Sequence, residues 1–181
     1  LSNLDNAIRQ IKAYLLDPID GPDAKIEALS SPIRVTATHS GSPVQLVDES
    51  DGAITVAFDT IDLDSGGDYN NATYLFTAPE DGFYLVICQV TIEKNASAAP
   101  TAIVHQLDVM VNGVSGARTR KDLDAMDTPP VDLLVTRCFN LSAGQTLQGR
   151  YTLTVGSGTM EVSIKADPRS TVFQVTRFAL S

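Results

Sequence analysis

Few side chains in this sequence are suited to nucleophilic, acid–base or soft-metal chemistry. His39 and His105 are its only histidines, and Cys88 and Cys138 its only cysteines. Catalysis of that kind needs a base within hydrogen-bond reach of a nucleophile, with a third group orienting the base. Each histidine instead sits in an alternating strand pattern with no nucleophile motif beside it. The expectation is two structural histidines, satisfied within the fold or exposed on strands. Neither cysteine belongs to a CxxC or Cys/His spacing, which leaves a zinc site without support. Both lie in apolar runs, where buried free thiols are expected.

Carboxylates are more plentiful. The stretch from Asp59 to Asp68 surrounds Gly66-Gly67 with acidic residues, and hard oxygen donors around a glycine turn can collect calcium. Asp62, Asp64 and Asp68 are therefore the calcium candidates, although the twelve-residue EF-hand pattern is absent. No other cofactor is expected. Paired carboxylates also run glycoside hydrolysis, but among 22 acidic residues some proximity arises without purpose, and no pair stands out as catalytic. Gly66-Gly67 and Gly156-Ser157-Gly158 neither open a predicted helix nor precede Lys-Ser/Thr, so they read as turns rather than phosphate cradles. The sequons at Asn71, Asn95 and Asn140 have meaning only on a eukaryotic secretory route.

The 22 acidic residues outnumber 13 basic ones, giving a net charge of −9 that repels a phosphate backbone on average. Nucleic acid is not an expected partner. No apolar run approaches the roughly 20 residues that span a bilayer, so membrane insertion is not expected. With 43% hydrophobic and 19% charged residues, the 181-residue chain has the composition of one packed soluble domain.

Two periodicities organise that chain. Leu1, Leu4, Ile8, Ile11 and Leu15 are spaced three, four, three and four apart, the a/d seam of a coiled coil. Ser2 caps the helix, and Pro18 ends it. Two heptads alone are marginal in water, so the apolar stripe needs neighbouring helices. Isoleucine at both an a and a d position favours three of them. A single helix packed on its own domain is the competing arrangement. This gives a stalk helix over 1–16, a proline-rich neck over 17–32 and a head domain over 33–181.

Past Pro32 the period becomes two. Ile33, Val35 and Ala37 alternate with Arg34, Thr36 and Thr38. Further strands are predicted over 54–61, 73–77, 82–93, 103–112, 131–141, 146–155, 159–166 and 171–180, separated by Gly, Pro, Asn and Asp clusters. The segments 93–101 and 116–130 read as long loops, the second holding Arg118, Arg120, Lys121, Asp122, Asp124 and Asp127. No helical pattern separates the strands, which predicts an all-β antiparallel sandwich of eight to ten strands.

Within it, Phe58-Asp59, Tyr69-Asn70, Phe76-Thr77-Ala78-Pro79, Asp81-Gly82 and Tyr84 form one ordered series. Val111-Asn112-Gly113 and the segment Leu141 to Leu147 follow as turn and strand–turn–strand. This order resembles the globular head of complement subcomponent q, within the tumour-necrosis-factor-like superfamily. Tyr74 stands where that family has Gly, and Arg177 interrupts its small-residue closing motif. The resemblance implies a jelly roll assembling as a homotrimer above a stalk, with Cys88 and Cys138 on neighbouring strands, where a disulfide is geometrically demanding.

The expected function is a non-catalytic, trimeric virion structural or adhesion protein. It would be a bacteriophage fibre, spike or capsid decoration head joined to other virion proteins upstream of its stalk, binding a host-surface glycan or protein. The alternatives are a secreted complement-q-like or tumour-necrosis-factor-like binding protein and a glycan-cleaving fibre head. The stalk carries its own test. Replacing Ile8 and Ile11 with polar residues is expected to weaken trimer formation, because buried a/d area drives association. An unchanged mass in sedimentation would remove the stalk.

Overall fold

The computed structural model describes residues 33–41, 44–123 and 130–178. The predicted stalk and neck, with Leu1, Leu4, Ile8, Ile11 and Leu15, lie outside the described residues. Within them the chain is all-β, with thirteen strands and no helix.

Seven strands form one sheet in the order β2 (Leu46–Asp48), β12 (Ser157–Ile164), β7 (Gly82–Thr101), β13 (Val172–Phe178), β1 (Arg34–Thr38) and β4 (Thr60–Asp64). β10 (Val131–Leu141) also pairs with β7. Six form the second, in the order β5 (Tyr69–Asn70), β6 (Leu75–Thr77), β11 (Thr146–Thr154), β8 (Ile103–Val111) and β9 (Val114–Leu123). There β3 (Ala53–Thr55) adds to β11. All pairings are antiparallel.

Alternation explains the core between the sheets. Tyr84, Val86, Cys88, Val90 and Ile92 of β7 point inward and are buried, as are Leu107 and Val109 of β8 and Leu147, Tyr151 and Leu153 of β11. The residues that carried the family resemblance are packing residues. Phe58, Phe76, Ala78 and Tyr84 are buried. Phe58 and Tyr69 pack at a tilt against Phe173 at 5.5 and 6.0 Å between ring centroids, and Phe76 meets Tyr84 at 5.7 Å. The Tyr69 hydroxyl donates to the Phe58 carbonyl at 2.9 Å and the Tyr84 hydroxyl to the Glu80 carbonyl at 2.7 Å, so both rings bury without stranding a donor. Gly149 leaves room for a close approach between the sheets. A Cβ there would stand 2.9 Å from the Phe58 ring and 3.0 Å from the Cys88 sulfur.

Both departures from the family pattern have physical reasons. Tyr74 has φ 57°, left-handed backbone that glycine adopts without cost. Arg177 ties down the turn before β7, donating to the Asp81 carbonyl at 2.9 Å and pairing with Glu80 at 2.8 Å. The Asn112-Gly113 turn, with φ 49° and 79°, has the positive pair that a two-residue hairpin between β8 and β9 requires.

Several expectations are corrected. The segment 93–101 is the second half of β7 rather than a loop, paired along β12. All of 116–123 belongs to β9. The strand predicted over 54–61 is two short strands, β3 and β4, in different sheets. β2 carries no alternation long enough to have announced it. Cys88 and Cys138 do lie on paired strands, but Cys138 stands opposite Leu85 and Cys88 opposite Val135. Three positions amount to about 10 Å along a strand and place the side chains on opposite faces. Both thiols are free, and Cys138 is exposed rather than buried.

The histidines are more deeply enclosed than expected. His39, just past β1, and His105 in β8 are 1% and 0% exposed. His105 Nδ1 lies 2.7 Å from the Tyr151 hydroxyl, while its Nε2 has no protein partner. Burial, with Lys121 nearby, lowers its pKa from 6.5 to about 4. The neutral ring thus stabilises the fold fully above pH 6.5. Between pH 6.5 and 4 the unfolded chain takes up a proton that the folded ring refuses, and stability falls. The loss from this residue is expected to be on the order of 2–3 kcal/mol. Denaturant melts at pH 7 and 4.5 check it. His105→Gln should remove that part of the slope, and an unchanged slope would show that His105 does not cause it.

Candidate functional site

The two sheets present very different outer faces. In β7 the residues between the core positions are Phe83, Leu85, Ile87 and Gln89, which alternation turns away from the core. Register sets Phe83 between Asn140 and Phe178, Leu85 between Cys138 and Thr176, Ile87 between Thr136 and Gln174, and Gln89 between Leu134 and Val172. None of these side chains is charged. Phe83, Leu134 and Phe178 are 39%, 52% and 46% exposed. The face continues across Thr36 of β1 to Leu63 of β4, which is also exposed. An antiparallel sheet with one solvated face normally reads polar on that face. Asp132 of β10 and Arg34 of β1 bring charge only to its borders, and a face whose middle is uncharged and rich in exposed large apolar side chains is the signature of a contact surface.

The six-stranded sheet is the opposite case. Gln106 and Asp108 of β8, Arg118 and Arg120 of β9, and Arg150 and Thr152 of β11 share its outer face through their register. Asp108 is 4% exposed and accepts from Gln106 at 2.7 Å, from Ser115 at 2.5 Å and from Arg118 at 2.8 Å. Burial alone would raise its pKa. Those hydrogen bonds outweigh it, and the carboxyl titrates below its usual range.

The calcium candidates are not gathered into a ligand set. Asp62 is exposed in the middle of β4. Asp64 is occupied with its own turn. Its Oδ1 accepts the backbone N–H groups of Gly67 at 2.9 Å and Asp68 at 3.1 Å, with Gly66 at 3.4 Å, and its Oδ2 accepts that of Tyr69 at 3.0 Å. Asp68 borders an open depression of about 510 Å³ lined by Gly67, Asp68, Tyr69, Asn70, Asn71, Thr77 and Pro79. Burial, with the charges of Asp64 and Glu80, raises its pKa. Among the described residues no three His, Cys, Asp or Glu side chains are grouped to hold a metal.

A hydrolytic centre is likewise not assembled from the candidate residues. His39 Nδ1 lies 3.5 Å from Asp59 Oδ2, but Ser40, the adjacent hydroxyl, donates to Asp59 at 2.9 Å instead of to the histidine. His105 meets a tyrosine inside the core.

The sequence reading missed the apolar face, though its signal was present. Phe83 to Val90 is apolar at seven of eight positions, where a strand with one solvated face would alternate.

Two antiparallel sheets packed in this arrangement form a jelly-roll sandwich. The structure of Eiger TNF from S. frugiperda matches with a TM-score of 0.51 at 15% identity, over 83% of this chain and 95% of that one. At that identity the likeness concerns the fold. No family model matches the sequence. No curated protein matches it either.

Asp64 supplies a test of the acidic turn. Asp64→Ala strands four backbone donors and is expected to cost about 1–3 kcal/mol, measured by denaturant melts. Millimolar calcium should leave the melting temperature of the parent chain unchanged. A rise of several degrees would restore Asp62, Asp64 and Asp68 as ligands.

Proposed function

We propose that this chain is a non-catalytic binding head that assembles as a homotrimer through the outer face of its seven-stranded sheet. The observation that carries the reading is the contrast between the two outer faces: one uncharged and rich in apolar side chains from Phe83 to Gln89 and their partners on β10 and β13, the other charged. Hiding the first and leaving the second in water requires association. Each leucine or isoleucine side chain removed from water contributes about 1.5–3 kcal/mol at most, and several such residues offset the entropy of association.

Three copies rather than two follow from the isoleucines at a and d of the predicted stalk and from the family resemblance. A stalk, a neck and a jelly roll in that order suit the head of a virion fibre, spike or decoration protein. Such a head binds or stabilises and needs no reaction centre.

The face can be tested without touching the core. Ile87→Glu and Leu134→Glu place a charge on it while the inward residues stay in place. Sedimentation equilibrium should give three times the 19.3 kDa chain mass for the parent and a large shift toward the monomer for each variant. Far-ultraviolet circular dichroism should remain the same. Variants that stay trimeric would move the interface elsewhere, and a monomeric parent would overturn the assembly.

A further inference from the structure

The outer face of the six-stranded sheet bears an organised group of cations in a chain whose net charge is −9. Along β9, Arg118 and Arg120 stand on one face two residues apart, about 7 Å by strand geometry. Arg150 of β11 lies across Asp108 from Arg118, two strand spacings or about 10 Å away. Arg150 is half-buried and donates to the Ala53 carbonyl at 3.2 Å, and Lys121, opposite the inward His105, belongs to the other face of β9, so the exposed cations of this face are Arg118 and Arg120.

The two β9 guanidinium groups are held through one atom each. Arg118 Nε donates to Asp108 at 2.8 Å and Arg120 Nε to Asp122 at 2.6 Å. Their side chains remain 52% and 55% exposed, and their terminal nitrogens have no other partner among the described residues. A guanidinium clamped at Nε has given up part of its rotamer freedom and still presents an NH₂ pair to an oxyanion. Gln106 and Thr152 stand in the next row with Arg120 and offer neutral polar groups beside the cations.

We propose that this face binds a linear acidic polysaccharide through its carboxylate or sulfate groups. Cations about 7 Å apart on a flat, rigid sheet suit a polymer with one anionic group per sugar or per disaccharide. A duplex, which carries one negative charge per about 1.7 Å of its axis, is repelled more strongly by the chain's net charge of −9 than a sparsely charged polymer is. The face positions named carry no aromatic side chain on which a nucleic-acid base could stack. This deepens the adhesive part of the proposed function and rests on the trimer only for valency. With the other sheet turned inward, three such faces point outward, and linked weak sites gain apparent affinity.

The test uses the full chain and immobilised heparin, with neutral dextran and duplex DNA for comparison. The parent should be retained on heparin at low salt and released as salt rises, and should ignore dextran. Arg120→Glu and Arg118→Gln should each bind heparin about tenfold more weakly. Arg169→Glu, on an exposed turn outside this face, should bind as the parent does. Arg118→Gln leaves Asp108 with two of its donors, and Arg120 pairs only with an exposed carboxylate, so melting curves can confirm that both variants fold. A trimer that ignores heparin, or variants that bind like the parent, overturns the site and leaves the assembly standing. Equal affinity for duplex DNA overturns the polysaccharide. Heparin binding by a monomer, sensitive to both substitutions, upholds the site and overturns only the assembly.

Discussion

The pairing of β7 on both edges is the constraint on which the rest of this fold depends. Its first eleven residues hydrogen-bond to β10 on one side, while Phe83 to Gln89 are held by β13 on the other. A strand held on both edges has no backbone freedom left, so its side chains must alternate strictly between two faces. One set, Tyr84 to Ile92, builds the core against β8 and β11. The other set, Phe83 to Gln89, has no covering element among the described residues. A one-residue slip would exchange the two sets and bury Gln89 in place of Val90. The core and the apolar face are therefore consequences of one register.

Legibility in the sequence followed the same physics. Period two over 33–38, the apolar run over 83–90 and the Asn112-Gly113 turn were readable because side-chain direction and left-handed backbone leave local traces. β9 was not readable. Its outer positions carry Arg118, Arg120 and Asp122, and charge on an edge strand guards against unwanted pairing while imitating the composition of a loop. The second half of β7 was missed for a related reason. Glu93 to Thr101 is polar and alanine-rich, and it is held as strand by its ladder to β12, a partner more than fifty residues away. Asp64 looked like a metal ligand because composition cannot reveal that four nearby N–H groups converge on it.

Tyr74 and Arg177 show how a fold tolerates departures from a pattern when the geometry beneath is kept. The position of Tyr74 demands positive φ, which glycine meets freely and a tyrosine meets at a cost of about 1–2 kcal/mol. Neighbouring contacts can carry that cost, since the turn is also bound by Asn70, whose Oδ1 accepts the N–H groups of Ala72 and Thr73. Arg177 replaces a small residue, yet its guanidinium satisfies the Asp81 carbonyl and pairs with Glu80 at the mouth of β7. Each departure spares the register of the central strand.

That register also ties the two outer faces to one another. The sheets of a sandwich stack about 10 Å apart, so a residue substituted on one outer face leaves the other nearly untouched, and the two surfaces can be tuned separately. The inner residues allow no such freedom. Gly149 of β11 lies against Cys88 of β7 and against Phe58 in the link between β3 and β4, and a larger side chain there would push the sheets apart. Such a push would disturb Ile87 and Gln89, the outward neighbours of Cys88, and with them the middle of the apolar face. The narrow core thus couples each outer surface to the spacing of the sheets, while leaving its chemistry free to differ.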